Sequence, residues 1–166
     1  MSSLPSLGPR GEGWVAIQFA LLFAIFGAGA KETPLSASTL TAGPALGLAV
    51  SAAGVVVVAA GGLFSVLGVV HLGRSLTVLP HPRDNSQLVQ TGVYRLARHP
   101  IYGGLVVAAL GYGLAMRAPV TAVVGALALL LFFRLKSARE EAWLERRYAG
   151  YAAYRATTRR MIPFLY

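Results

Sequence analysis

The stretch of the chain most able to do chemistry is 87–102, QLVQTGVYRLARHPIY, because it is polar and lies between two long apolar runs. Pro100 lacks a backbone N–H but suits the first position of a helix, so Arg98-His99-Pro100 is predicted to be a loop, a cap and a helix start. His99 and the free amides of the first helical turn would then lie at a helix N-terminus, where the dipole favours an anionic or hydrogen-bond-accepting group. The pattern predicts a ligand site at this Arg-His-Pro turn.

Two adjacent acids, Glu140 and Glu141, form a second group that could do chemistry. One interpretation is a solvated helix face with ion pairs four residues apart, such as Lys136 with Glu140. The other is that one acid points back at the Arg-His-Pro turn. The second interpretation requires the apolar segments at about 101–133 to form a short hairpin, and the sequence leaves both open.

Other reaction classes lack the residues they need. The chain has no cysteine, which excludes disulfides, thiolate metal sites and cysteine nucleophiles. Its three histidines, His71, His81 and His99, are widely spaced, so no metal site is predicted. A serine hydrolase would need a Gly-x-Ser-x-Gly motif, which is absent. The glycine pairs at 27–29 and 111–113 lie inside apolar runs, unlike a nucleotide-binding turn that follows a strand.

The composition indicates a single-domain integral membrane protein, since 55% of its 166 residues are hydrophobic and only 13% are charged. The formal net charge of +9 does not indicate nucleic acid, because twelve of the 15 lysines and arginines lie in 71–99 and 134–166, beside apolar segments. This distribution follows the positive-inside rule and predicts that both segments are cytoplasmic, next to anionic lipids. We expect no nucleic-acid partner and no removable signal peptide, and the oligomeric state stays open.

The apolar runs predict an all-α membrane protein with about four transmembrane helices and both termini cytoplasmic. Each arm of the hairpin is too short to cross ~30 Å alone at ~1.5 Å per residue, so the last helix is predicted to continue into the cytoplasm. Glycines and serines in the second helix predict close packing against a neighbouring helix. The predicted segments are helices at 14–30, 44–70, 100–117 and 119–148, a cytoplasmic loop at 71–99 and a cytoplasmic tail at 149–166.

Three motifs follow one another along the chain in a specific order and spacing. They are Leu-Gly-Arg-Ser-Leu-Thr at 72–77, Leu-Val-x-x-Gly-Val-Tyr-Arg-x-x-Arg-His-Pro-x-Tyr-x-Gly at 88–104, and Glu140-Glu141 followed by Tyr151, Tyr154, Arg160 and Pro163. Together they resemble the isoprenylcysteine carboxyl methyltransferase family, whose relatives include the phospholipid N-methyltransferases. The resemblance covers about residues 63–166. It implies a membrane-embedded enzyme that transfers a methyl group from S-adenosylmethionine to a lipophilic acceptor and leaves S-adenosylhomocysteine.

The resemblance also implies roles for individual residues. Lys136 matches the basic residue that meets the substrate carboxylate, and Arg160 is assigned to the substrate as well. Two departures from the family are Thr157, where many relatives carry arginine, and Tyr148-Ala149, where Phe-Gly is usual; Lys136 itself replaces a common arginine. The implied cofactor-binding residues are Ser86, Gln87, Leu88, Val89, Tyr94, His99, Pro100, Ile101, Tyr102 and Glu140.

The nature of the methyl acceptor decides which residues act. With a carboxylate acceptor, opposite charges cancel in the transition state, so alignment by Lys136 in a poorly hydrated site is enough. An amine acceptor must first lose a proton, and Glu141 or His99 is then the candidate base. His99 alternatively only caps the helix. Prenylated protein C-termini, phospholipid amines and small isoprenoid or aromatic acids are all possible acceptors. Their lipid tails are expected at the glycine-rich surface of 44–70 or at the hairpin.

Two rival functions stay open at this point. Sterol reductases share a related C-terminal pattern and bind a reduced nicotinamide dinucleotide (NADPH), although they are longer and have more spanning helices. A non-catalytic membrane scaffold would use the basic cytoplasmic face to recruit anionic lipid or a partner. Replacing Glu140 should impair cofactor binding by a methyltransferase and leave a scaffold unchanged.

Overall fold

The computed structural model describes residues 7–8, 11–32, 43–76 and 87–163. This part of the chain contains no β-strand, only one isolated bridge, so the predicted all-α class is confirmed. A single π-helical turn, Thr121–Gly125, leads into the fourth helix. The five α-helices of the described residues are α1 (Glu12–Lys31), α2 (Gly43–Leu72), α3 (Pro100–Ala115), α4 (Ala126–Arg147) and α5 (Tyr151–Thr157).

Three segments of the described chain are long and apolar enough to cross a membrane, namely Glu12–Lys31, Ala45–Ser75 and Thr121–Arg147. Helix α3 has 16 residues, or about 24 Å at ~1.5 Å per residue, which is short of a ~30 Å hydrocarbon core. The described residues therefore give three candidate spans where about four were predicted. Phe23 is 74% exposed, as expected of an apolar side chain that faces lipid.

Helices α2 and α3 pack with their backbones in contact along a row of small residues. Gly54, Gly61 and Gly68 recur at intervals of seven on α2 and face α3. A Cβ atom added to Gly61 would lie 2.6 Å from both the Ala108 nitrogen and the Gly104 oxygen. Only glycine allows such a close approach. Helix α3 therefore fills the face formed by these three glycines, and a lipid tail cannot lie between them and α3.

The hairpin after α3 closes with a Schellman motif. The N–H of Arg117 donates to the carbonyl of Leu114 at 2.9 Å, and that of Ala118 donates to the carbonyl of Gly113 at 2.8 Å. Arg117 has a φ of 55°, the left-handed conformation that ends a helix in this way. Pro119 then begins the helical segment that continues through the π-helical turn into α4.

Glu32 links the end of α1 to the start of that helical segment. Its carboxylate accepts hydrogen bonds from the N–H of Val120 at 3.1 Å, the N–H of Thr121 at 2.9 Å and the hydroxyl of Thr121 at 2.7 Å. These bonds lower the pKa of Glu32, and the bond from the Thr121 hydroxyl contributes most. The carboxylate at the end of α1 thus accepts hydrogen bonds from the free backbone amides at the start of another helical segment.

We expect Glu32→Gln to lower the unfolding temperature only slightly at neutral pH, because the carboxylate is only partly buried and solvent screens its interactions. The pKa of Glu32 is lower in the folded state than in the unfolded state. This stabilisation is therefore complete above about pH 4.5 and is lost as the pH falls through the folded-state pKa. The difference in unfolding temperature between wild type and variant, measured in detergent, should therefore shrink between pH 7 and about pH 3. A difference that widens in acid would contradict the assignment.

Candidate active site

The Arg-His-Pro turn is held by backbone pairing with residues that follow α5. The N–H of Arg98 donates to the carbonyl of Arg159 at 2.9 Å, and the N–H of His99 donates to the carbonyl of Arg160 at 2.8 Å. Pro100 begins α3, and His99 occupies the N-cap position without a side-chain capping bond. His99 thus has the predicted N-cap position, but its ring contacts the paired acids and does not cap the helix.

Glu141 lies behind the turn with only 2% of its surface exposed. Its Oε1 accepts a hydrogen bond from Arg98 Nε at 2.9 Å and lies 3.1 Å from His99 Nε2. Its Oε2 lies 3.3 Å from Arg160 Nη2 and 3.8 Å from Arg155 Nε. These surrounding N–H groups stabilise the charged carboxylate. Glu141 thereby joins α4 to the turn, to α5 and to the segment beyond it.

Glu140 approaches the other nitrogen of the His99 ring. Its Oε2 accepts a hydrogen bond from the Tyr102 hydroxyl at 3.0 Å and lies 3.6 Å from His99 Nδ1. The Tyr102 ring stacks between those of His99 and Phe133, with centroids 5.5 Å and 4.6 Å away. Both acids therefore point back at the turn, and the interpretation of a solvated face is wrong.

Lys136 is 1% exposed, one helical turn before Glu140. The two do not pair; instead Lys136 Nζ donates to Gln18 Oε1 at 2.5 Å and lies 5.1 Å from the centroid of the Tyr102 ring. Gln18 belongs to α1 and was missed from the sequence. A signal was available, since a lone polar side chain inside an apolar run is a marker of function in membrane helices.

A cavity of about 320 Å³ brings these groups together. Of the predicted catalytic and substrate residues, Lys136 and His99 line it, whereas Glu141 and Arg160 lie behind its wall. Of the predicted cofactor residues, Pro100 is outside the wall, and Ser86 lies outside the described part of the chain. The cofactor residues that do line the cavity are Gln87, Leu88, Val89, Tyr94, His99, Ile101, Tyr102 and Glu140.

Several further residues line the cavity that sequence reasoning did not assign to the site. Several belong to the motifs or to the turn named from the sequence without a role of their own, whereas no local pattern distinguishes Phe19, Val69 and Leu144 from ordinary packing residues. These further residues are Gln18, Phe19, Val69, Leu72, Ser75, Leu76, Arg98, Leu144, Tyr148, Tyr151 and Tyr154.

Three buried tyrosines line the cavity. The Tyr154 hydroxyl donates to the carbonyl of Tyr94 at 2.7 Å, and the Tyr94 hydroxyl donates to the carbonyl of Gly68 at 3.3 Å. The Tyr151 hydroxyl is buried and has no hydrogen-bond partner among the described residues. Burial raises the pKa of all three hydroxyls, so they stay protonated at neutral pH. The Tyr151 hydroxyl is therefore an unsatisfied buried donor next to the cavity.

Comparison with known protein families agrees with this arrangement. A sequence model of the phospholipid methyltransferase family matches residues 49–150, which include the Arg-His-Pro turn, Lys136 and both acids. The chain belongs to the phospholipid methyltransferase family. The expected relationship is thus confirmed for this family member, whose Gln18 and Tyr151 lie outside the matched segment.

Two plant methyltransferases resemble this family member over most of its length. A probable protein-S-isoprenylcysteine O-methyltransferase of Oryza sativa subsp. japonica is 36% identical over 120 residues, which is 70% of the chain and 62% of the relative. Protein-S-isoprenylcysteine O-methyltransferase A of Arabidopsis thaliana is 30% identical over 119 residues, which is 70% of the chain and 60% of the relative. The chain thus spans about three fifths of the length of these relatives.

Proposed function

We propose that the protein is a membrane-embedded methyltransferase that uses S-adenosylmethionine to methylate a lipophilic carboxylate of the isoprenylcysteine type. The observation that carries this proposal is one cavity in which a carboxylate, Glu140, and a buried ammonium, Lys136, lie one helical turn apart on α4. The two groups provide separate positions for a cationic methyl donor and an anionic acceptor. The names of the relatives support the same reaction.

The residues present fit S-adenosylmethionine. The cavity of about 320 Å³ is in the range of small-molecule sites. Its wall offers the Glu140 carboxylate to hydroxyl or ammonium donors and tyrosine rings to a purine. When bound, this cofactor supplies a methyl group on a positively charged sulfur.

Glu141 and His99 keep Glu140 in place. The cations around Glu141 stabilise its charged carboxylate, which can only accept hydrogen bonds. His99 Nε2 therefore carries the hydrogen that faces Glu141, and this bond fixes the plane of the imidazole ring. The fixed ring stacks on Tyr102, and Tyr102 in turn donates to Glu140. Glu141 is thus proposed as a positioning residue, in place of the base that the sequence suggested.

Lys136 favours a carboxylate acceptor over an amine. A buried ammonium attracts an anion and repels a protonated amine at the same position, since opposite charges stabilise and like charges destabilise each other at low dielectric. A carboxylate needs no general base. If an amine were the acceptor, His99 would be the candidate base on the wall of the cavity.

The apolar part of the acceptor is proposed to lie at the α1–α2 side of the cavity. Phe19 of α1 and Val69 and Leu72 of α2 line the wall there, and Phe19 is 49% exposed. This side can therefore accept a hydrocarbon chain from the surrounding lipid. The basic residues in and after α4 support an orientation in which the cavity faces the cytoplasm.

The function can be tested with purified protein in detergent, radiolabelled S-adenosylmethionine and two acceptors, N-acetyl-S-farnesylcysteine and phosphatidylethanolamine. We expect label in the first acceptor and its release as methanol by mild alkali, because only an ester is cleaved there. Alkali-stable label in the second acceptor would identify amine methylation instead. Binding of NADPH without binding of S-adenosylhomocysteine would support the reductase alternative.

Glu140→Gln should weaken S-adenosylhomocysteine binding by about 10- to 100-fold, because hydrogen bonds to a charged group contribute ~1.5–3 kcal/mol. Isothermal titration calorimetry would measure the change. The matched control is Glu145→Gln on the same helix, since Glu145 pairs with exposed Arg155 and lies outside the cavity wall. Equal affinities for wild type and Glu140→Gln would contradict the assignment.

A further inference from the structure

Helix α1 contributes a polar side chain to the cavity although it lies outside the segment shared with the family. Gln18 is the polar residue of the apolar run 14–30. Its side chain reaches Lys136 at 2.5 Å. Trp14, one turn earlier on α1, is 4% exposed and packs on Phe132 with ring centroids 5.8 Å apart. The tryptophan packing fixes the position of α1 against α4, and therefore of Gln18 against Lys136.

The hydrogen-bond partner of Lys136 is a neutral side chain. Within the described residues, Lys136 makes no ion pair, although it is 1% exposed. Glu140 is the acid nearest in sequence on α4, and it directs its Oε2 to Tyr102 and His99 instead. A glutamine oxygen accepts one of the three ammonium N–H donors and holds the side chain in place without cancelling its charge. The positive charge stays available to a second, anionic partner.

We propose that Gln18 is a specificity-determining residue that holds the Lys136 ammonium in place without forming an ion pair with it, so that the cavity selects acceptors with a carboxylate. This inference rests on the proposed methyltransferase function and adds a residue to the acceptor side of that site. A carboxylate at position 18 would pair with Lys136 and compete with the acceptor. A residue of equal length without a hydrogen-bond acceptor would release the ammonium from its position.

The test uses full-length Gln18→Glu and Gln18→Met proteins. The readouts are the KM for N-acetyl-S-farnesylcysteine, the inhibition constant of its carboxamide analogue and the dissociation constant of S-adenosylhomocysteine. Gln18→Glu should raise the KM for the carboxylate at least about tenfold, with little change for the neutral carboxamide, because the new ion pair removes only the attraction for an anion. Gln18→Met should raise the KM for the carboxylate less, by about threefold, because Lys136 keeps its charge but is no longer held in position. Cofactor affinity should stay within about twofold in both variants.

The selectivity ratio between carboxylate and carboxamide separates this role from a structural one. A purely structural Gln18 would weaken both ligands, and the cofactor, to the same degree in both variants, and this result would overturn the proposal. An unchanged carboxylate KM in Gln18→Glu would overturn it as well. If Gln18→Glu does not fold, the ratio in Gln18→Met decides alone. Wild-type protein that binds no S-adenosylhomocysteine and labels no acceptor would instead reject the proposed function, and this proposal with it.

Discussion

Replacement of Glu141 by alanine is expected to destabilise the protein by about 3–5 kcal/mol, because it leaves buried cations without their counter-charge. Arg98 has 7% of its side chain exposed and donates to Glu141 at 2.9 Å, so it would be the most affected. His99 would lose the partner at its Nε2. Because Glu141 connects α4 with the turn, with α5 and with the segment beyond it, the cavity should lose its shape, and cofactor binding should disappear.

Thermal unfolding and S-adenosylhomocysteine titration in detergent would measure both effects. Glu141→Gln, which keeps the volume and one acceptor oxygen, should destabilise less and retain part of the binding. The matched control is Glu145→Ala, whose exposed ion pair with Arg155 should contribute at most about 1 kcal/mol. If Glu141→Ala proved as stable as Glu145→Ala, the central role of this carboxylate would be wrong.

Gly61→Val is expected to separate α2 from α3 and to prevent correct folding. The new Cβ would lie 2.6 Å from backbone atoms of Ala108 and Gly104, and backbone cannot yield as a flexible side chain can. Overpacking with side chains alone costs about 1–3 kcal/mol, so we expect a larger loss here. The Ser65 hydroxyl bond to the carbonyl of Ile101, 3.0 Å long on the same seam, should also break.

Gly62→Val is the control for this prediction, because a Cβ at Gly62 would meet nothing within 4 Å among the described atoms. The yield of monodisperse protein after detergent extraction, together with its unfolding temperature, compares the two variants. We expect near wild-type behaviour from Gly62→Val and aggregation or a strongly lowered unfolding temperature from Gly61→Val. Comparable yields from both would show that the helices are not held by this close contact.

The elements of the fold could be predicted because each has a local cause. The apolar runs predicted the ends of α1 and α2 to within about two residues. Pro100 marked the start of α3, since proline suits the first helical position. The small residues of α2 indicated close packing, but not with which helix, because glycine spacing on one helix carries no information on its neighbour.

The sequence could not predict that Glu140 lines the cavity while Glu141 pairs with the arginines behind it. Adjacent residues on a helix point about 100° apart, so the rotation of α4 decides which acid lines the cavity. That rotation depends on contacts far away in the chain, including Arg160 and the stacking on Phe133. For the same reason Lys136 seemed suited to pair with Glu140, whereas the packing of α1 offers Gln18 as its partner.

The backbone pairing of Arg98 and His99 with Arg159 and Arg160 has a consequence for biosynthesis. The two halves of this contact are about sixty residues apart, so the turn cannot reach its final shape until the later half has left the ribosome. By then the helices between them have been made and delivered to the bilayer. The nascent chain should therefore enter the membrane with an unfinished pocket, and ligand capture should begin only after residue 160 has left the ribosome.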